Sequence, residues 1–199
     1  MNTLPLTIFV VFGPQGSGKS TQVERLAEKL SLKVFEAGEV LRARAEVDEK
    51  IHQILKQGTL VSDETMLEII DEYMTEHNSS TGYVFDGYPR NHDQFNGFIK
   101  IMSPLGARVA GIFINLSDTS AKARLANRFT IVDGQRVRRE DDQPAIVQKR
   151  LDTFKAETLP LKEQFAQHFE LLEINGEPSV DEVTKEINAA VDEFLNARD

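Results

Sequence analysis

Between a β-rich apolar run, Thr7 to Phe12, and an amphipathic segment, Ser20 to Leu30, the chain carries Gly13-Pro14-Gln15-Gly16-Ser17-Gly18-Lys19-Ser20. The pattern G-x-x-x-x-G-K-[ST], set after a strand and opening a helix, is the phosphate-binding loop. It confines the chain to folds in which a buried strand runs straight into a helix N-terminus. Small residues let successive main-chain N–H groups face one concavity, the helix end adds partial positive charge, and Lys19 reaches toward the β and γ phosphates of a nucleotide. Gly16, Ser17, Gly18, Lys19, Ser20 and Thr21 are therefore the candidate triphosphate ligands, with Ser20 the hydroxyl that meets a magnesium ion. A plain glycine-rich connection would need neither Lys19 nor Ser20.

The remaining pattern alternates strands with helices. Leu32 to Phe35 reads as a second strand, Gly38 to Ala45 as the start of a helix, and Asp48 to Lys56 as a helix stopped by Gly58. Ser62-Asp63-Glu64-Thr65 is a capping signal, and Met66, Ile69, Ile70 and Tyr73 form an apolar face that reads as packing alone. Gly82 to Phe85 is a third strand that delivers Asp86-Gly87-Tyr88-Pro89-Arg90 to its C-terminal end, where open α/β sheets bind ligands. Val109 to Leu116 is a fourth strand, followed by a helix from Ser117 to Phe129. Thr130 to Arg139 lacks periodicity and reads as an exposed loop turning at Gly134. Asp141 to Phe165 is a long helical pattern that Pro160 should kink or break. Glu170 to Ile174 supplies a fifth strand, and Val180 to Leu195 a last helix with Val183, Ile187, Val191 and Leu195 on one face. Such alternation predicts an α/β fold, a parallel sheet with right-handed crossovers.

At 199 residues the chain has room for one sizeable core with small inserts. A net charge of -9 argues against a nucleic-acid or membrane-surface role, since both want a basic face, so any positive site must be local. With no cysteine there is neither a disulfide framework nor a thiolate zinc site. The first apolar run has no basic stretch ahead of it and no small-residue cleavage site, so it reads as a strand and not a signal peptide. A cytoplasmic enzyme is the expectation. His52, His77, His92 and His168 show no metal spacing and read as surface or partly buried side chains.

Several motifs then agree in order and spacing, and together they resemble the adenylate kinase family of nucleoside monophosphate kinases. Gly13 to Thr21 matches the family's phosphate loop; Gly38 to Arg42 resembles its G-D-L-L-R element, Gly58 to Val61 its G-x-L-V, and Asp86 to Arg90 its D-G-F-P-R. Arg124 and Arg128 are spaced like the pair at the lid's entry, Arg139-Glu140-Asp141-Asp142 resembles R-x-D-D at its exit, and Arg150-Leu151 the R-L beyond. The resemblance implies a P-loop NTPase-type three-layer fold with a five-stranded parallel sheet. It also implies a division into a core (1–37, 68–127, 140–199), an acceptor-binding insert (38–67) and a lid (128–139). The short lid resembles the form without structural zinc.

The resemblance further implies transfer of the γ-phosphoryl of Mg-ATP to AMP, giving two ADP, by a monomer. An acceptor phosphate with a second pKa of about 6 is already largely ionised, so no strong general base is needed, and arginines must offset the gathered charge. By resemblance Arg42 and Arg90 hold the acceptor phosphate. Arg124, Arg128, Arg139 and Arg150 gather around the transferred group, and Lys19 completes the set. Asp86, ending a buried strand that faces the loop, is read as organising magnesium through its waters, in preference to a cap on the next turn. Asp141 and Asp142 fit either a helix N-terminus or a lid hinge. Ala37, Thr59, Leu60, Val61, Gly87, Tyr88 and Gln94 are implied around the acceptor nucleotide, and Pro178 beside the donor adenine.

The acceptor base is read from mixed signals. Gln94 matches the family's adenine-pairing glutamine, and an amide can both donate to and accept from a base edge. Ala37 stands where threonine is usual, and with Arg90-Asn91 it looks more like the pyrimidine branch; Tyr88 replaces a phenylalanine. The expectation is AMP, with a UMP/CMP kinase as the alternative. A switch GTPase would need N-K-x-D, and Asn115-Leu116-Ser117-Asp118 lacks the lysine. A kinase of another small metabolite and a non-catalytic nucleotide sensor are the remaining classes, the latter marked by tight ATP binding without turnover.

Overall fold

The computed structural model describes residues 6–56, 61–132, 135–138 and 144–197. Strands β1 (Thr7–Phe12), β2 (Lys33–Glu36), β3 (Gly82–Asp86), β4 (Arg108–Asn115) and β7 (Glu170–Asn175) form one sheet in the order β2-β3-β1-β4-β7. Every pairing in it is parallel. The central strand β1 is a continuous apolar run because helices cover both of its faces. Ile8, Val10 and Phe12 enter one core layer, while Phe9 and Val11 enter the other.

The second of these layers is built by α1 (Lys19–Leu30) and α9 (Val180–Asn196). Val23, Leu26 and Ala27 of α1 meet Val183, Ile187, Val191 and Phe194 of α9 at helical spacing. Phe194, not Leu195, is the last fully buried residue of α9, with Leu195 packed at the rim. The first layer is rich in aromatics: Phe85 meets Phe98 edge-on at 5.6 Å, and Phe12 meets Phe165 likewise at 5.1 Å. Burying each such side chain contributes on the order of 2 kcal/mol.

Helices α2 (Ala37–Ala45), α3 (Glu49–Lys56) and α4 (Asp63–Glu76) follow β2, and α5 (His92–Met102) follows β3. The capping signal at Ser62 acts as read, its Oγ accepting from Thr65 N–H; Asn91, not singled out in the sequence as a cap, also caps a helix, its Oδ1 accepting from Gln94 N–H at 2.8 Å. Ser179 and Glu182 form a full capping box on α9. Helix α6 is Asp118–Ala126, so Phe129 lies outside it.

Two regions differ from the sequence expectation. The stretch read as a loop from Thr130 is a hairpin, with β5 (Phe129–Val132) antiparallel to β6 (Gln135–Arg138). The available sequence signal was the pair Asp133-Gly134, a composition that favours a two-residue hairpin turn, although both residues lie outside the described ones. The long helical pattern divides into α7 (Pro144–Thr153), a π turn at Phe154–Thr158 and α8 (Leu161–Ala166). Leu159 N–H bonds Phe154 O at 2.8 Å. Pro160 is the cause, because its ring would collide with the carbonyl four residues earlier in a regular α-helix. The break therefore starts ahead of the proline.

Among the described residues no helix is long and apolar enough to cross a membrane. One glycine fixes how β3 starts: at Gly82, φ is +142°, and an added Cβ would lie 1.8 Å from Thr7 O on the neighbouring strand. Gly82→Ala is expected to cost at least about 3 kcal/mol, read as a lower urea midpoint with unchanged slope.

Candidate active site

Strand register assembles the site. β1 pairs with β3 so that Val11 stands opposite Asp86, the last residue of β3, just where β1 runs into the glycine loop. Asp86 is 6% exposed, and its Oδ2 accepts a 2.8 Å bond from Ser20 Oγ. Lys19 folds back over the loop, its Nζ donating to Gly13 O at 2.7 Å and Pro14 O at 3.0 Å. Inside this loop two buried oxygens, Gln15 Oε1 and Ser17 Oγ, have no hydrogen-bond partner. An unmet polar atom costs roughly 1–3 kcal/mol in an ordinary core, so the loop is shaped for something other than its own packing. Thr21 lies at the exposed edge of α1.

The charges converge. Burial pushes the Lys19 ammonium down to about 8; the Asp86 carboxylate opposes this, while Arg90 and Arg128 add to it. Burial also lowers Arg90, whose charge is supported by Asp86 and opposed by Arg150. Lys19, Asp86, Arg90, Arg128 and Arg150 therefore share one electrostatic neighbourhood, with four cations around one carboxylate. In a chain of net charge -9 this is the local positive site that the motifs call for.

Arg90 leaves the end of β3 on a short loop. Its Nε donates to Gly87 O at 2.7 Å, and its N–H donates to Gln94 Oε1 at 2.8 Å. Gly87 has φ +78°, and a Cβ there would press on Arg90 Nη2 at 2.9 Å, so the close approach requires glycine. Gln94 is 4% exposed, and Oε1 is already engaged by Arg90. The Tyr88 hydroxyl, whose use the sequence leaves open, donates to the Gln94 main-chain oxygen at 3.0 Å. Burial raises its pKa, so it stays a neutral donor.

These residues line a pocket formed by Ala37, Leu41, Val61, Met66, Gly87, Tyr88, Arg90 and Gln94. Six of the eight are candidates from the sequence. Leu41 was missed, although it lies one helical turn beyond Ala37 on the same face. Met66, read as packing alone, is a core residue that also faces this pocket.

Other candidates lie elsewhere. Arg42 is exposed and pairs with Glu36 at 3.6 Å. Arg124 Nη2 donates to the carbonyls of Gly176, Glu177 and Pro178, which brings it to the candidate donor-base segment and fastens that segment to α6. Thr59, Leu60 and Arg139, with Gly58, Asp141 and Asp142, lie outside the described residues. All four histidines are exposed.

Because the folded value of Lys19 lies below its unfolded 10.5, the free protein gains stability as pH rises from about 8 toward 10.5 while the loop loses its positive charge. A polyphosphate bound in the loop restores the proton. Calorimetric titration at pH 8 in two buffers of different ionisation heat should register uptake of about half a proton, absent in Lys19→Met.

Residues 11–170 match the sequence family described as adenylate kinase. The adenylate kinase of Hyphomonas neptunium is 32% identical over 187 residues, spanning 92% of this chain and 96% of the relative. That of Brucella ovis is 33% identical over 185 residues, spanning 89% and 95%. That of Xanthomonas campestris pv. campestris is 32% identical over 187 residues, spanning 92% and 97%. With a family model matched over most of its length and relatives above 30% identity along nearly the whole of it, the chain belongs to the adenylate kinase family, a phosphotransferase of the nucleoside monophosphate kinase type.

Proposed function

We propose that the chain transfers the γ-phosphoryl group of Mg-ATP to AMP, giving two ADP. The observation that carries this reading is the position of Arg90, which borders the pocket of Gln94 on one side and the charge cluster of Lys19, Asp86, Arg128 and Arg150 on the other. An acceptor whose base sits against Gln94 would bring its phosphate to Arg90, facing the loop.

Lys19 turns from the loop carbonyls to the β and γ phosphates, and Arg90, Arg128, Arg150 and Arg139 hold two anions in line that would otherwise repel each other. The planar, permanently charged guanidinium suits oxygens that change geometry during transfer. Arg42, exposed beside Glu36, adds to the acceptor phosphate, with Thr59, Leu60 and Val61 along the nucleotide. Arg124 and Pro178 lie along the donor base.

The donor set fits magnesium. Among the described residues no three carboxylate or imidazole groups cluster, so an ion here would take most of its oxygens from phosphate and water, as magnesium does. Ser20 and Asp86 would hold it, and it would supply neutralisation of the phosphate charge.

Gln94 supports AMP over UMP. With Oε1 engaged by Arg90, Nε2 is left as the amide's donor for a base in the pocket, and a donor matches the N1 acceptor of adenine and opposes the N3–H of uracil. Cytosine also presents an acceptor there, and Ala37 contributes only a methyl group, so CMP is the second reading. A coupled ADP-release assay with Mg-ATP against AMP, CMP, UMP, GMP and dTMP decides. AMP is expected to lead, and Gln94→Asn to shift preference toward CMP or UMP; turnover of none would favour a sensor.

The insert 38–67 and the lid 128–139 close on the core when both substrates are present, because water admitted beside Mg-ATP would accept the phosphoryl group wastefully. Small-angle scattering should show a smaller radius of gyration with a bisubstrate inhibitor. An unchanged radius would contradict closure.

A further inference from the structure

We infer that Thr158 is a positioning residue for Arg90, acting through the Arg90 main-chain carbonyl. Arg90 is held at three points. The bonds to Gly87 O and Gln94 Oε1 are local, from residues three and four positions away in the loop and the first turn of α5. The third comes from 68 residues away: Thr158 Oγ1 donates to Arg90 O at 2.9 Å. It ties the arginine that borders the pocket to the segment that carries Arg150.

The local structure explains why Thr158 can do this. Arg150 lies on α7, and Thr158 closes the π turn that follows it. A π turn inserts one residue into the helical register, which rotates everything after it by about a third of a turn relative to an uninterrupted helix. Pro160 enforces the widening. The chain of cause runs from Pro160 to the π turn, from the turn to the direction of the Thr158 hydroxyl, and from there to the backbone of Arg90. A second bridge lies beside it: His92 Nδ1 and Gln164 Oε1, 2.7 Å apart, join α5 to α8. The hydroxyl therefore ties the Arg90 backbone to the segment that follows Arg150.

The inference rests on the reading of Arg90 as the acceptor-phosphate ligand. The test is steady-state kinetics of the full chain with Mg-ATP and whichever monophosphate the wild type turns over best. Thr158→Val and Thr158→Ala, which share only the loss of the hydroxyl, are both expected to lower kcat/KM for the monophosphate about tenfold or more. The KM for ATP should stay within about twofold, and Thr158→Ser should restore the wild-type value. In an Arg90→Ala background, Thr158→Val should cost nothing further, because its route is through Arg90. Equal activity of Thr158→Val and wild type would overturn the inference. So would failure of serine to restore activity, or an undiminished Thr158→Val effect without Arg90. A wild type that turns over no monophosphate would instead remove the functional reading itself.

Discussion

The parallel pairing of Val11 with Asp86 is the constraint on which the rest of the site depends. It brings the end of β3 level with the point where β1 enters the glycine loop, so that Ser20 and Asp86 meet at 2.8 Å. Strand side chains alternate with period two, so slipping this pair by one residue would send Asp86 to the opposite face and exchange the two core layers. Burial of both faces forbids the slip. The carboxylate is thus positioned by hydrophobic packing, although its own chemistry is polar.

From that fixed point the site divides into rigid and adjustable parts. The loop, Asp86 and the Arg90 turn belong to the sheet and its first helix. Arg128 lies just ahead of the β5–β6 hairpin, and Arg42 and Arg44 are exposed on α2, paired at the surface with Glu36 and Glu72. Exposed pairs of this kind contribute little to stability, about 0–1 kcal/mol, and can be exchanged for a ligand phosphate at small cost. Arg42 and Arg44 are thus held by contacts that are easy to give up, whereas the Gln94 amide is held by a partly buried one.

Much of this was legible in the sequence because its signals are local and redundant. The strand-loop-helix around Lys19 and the alternating elements survive in the structure. The family comparison agrees with the resemblance they carry. What escaped did so for identifiable reasons. The β5–β6 hairpin was overlooked because arginines interrupt its alternation, although the Asp133-Gly134 pair marked the turn. The π turn could not be read because Pro160 announces a break without saying where the strain is relieved. The Tyr88 hydroxyl and the engaged Oε1 of Gln94 are tertiary facts, set by how a loop folds over α5, and no spacing rule reports them. Met66 shows the opposite limit: helical periodicity correctly marks a residue as buried and says nothing about which wall of which pocket it forms.

The ammonium bonded to Gly13 and Pro14 makes the ligand-free loop an occupied one, with its own lysine as internal tenant. A triphosphate that recruited this ammonium would move it from two neutral carbonyl oxygens to charged phosphate oxygens, so a binding isotherm would record the difference between those contacts and not the whole of either. Part of the side chain's worth would then stay hidden from measurements of affinity alone. Occupancy and turnover become separable quantities at this one position, and a weak effect on the first carries no information about the second.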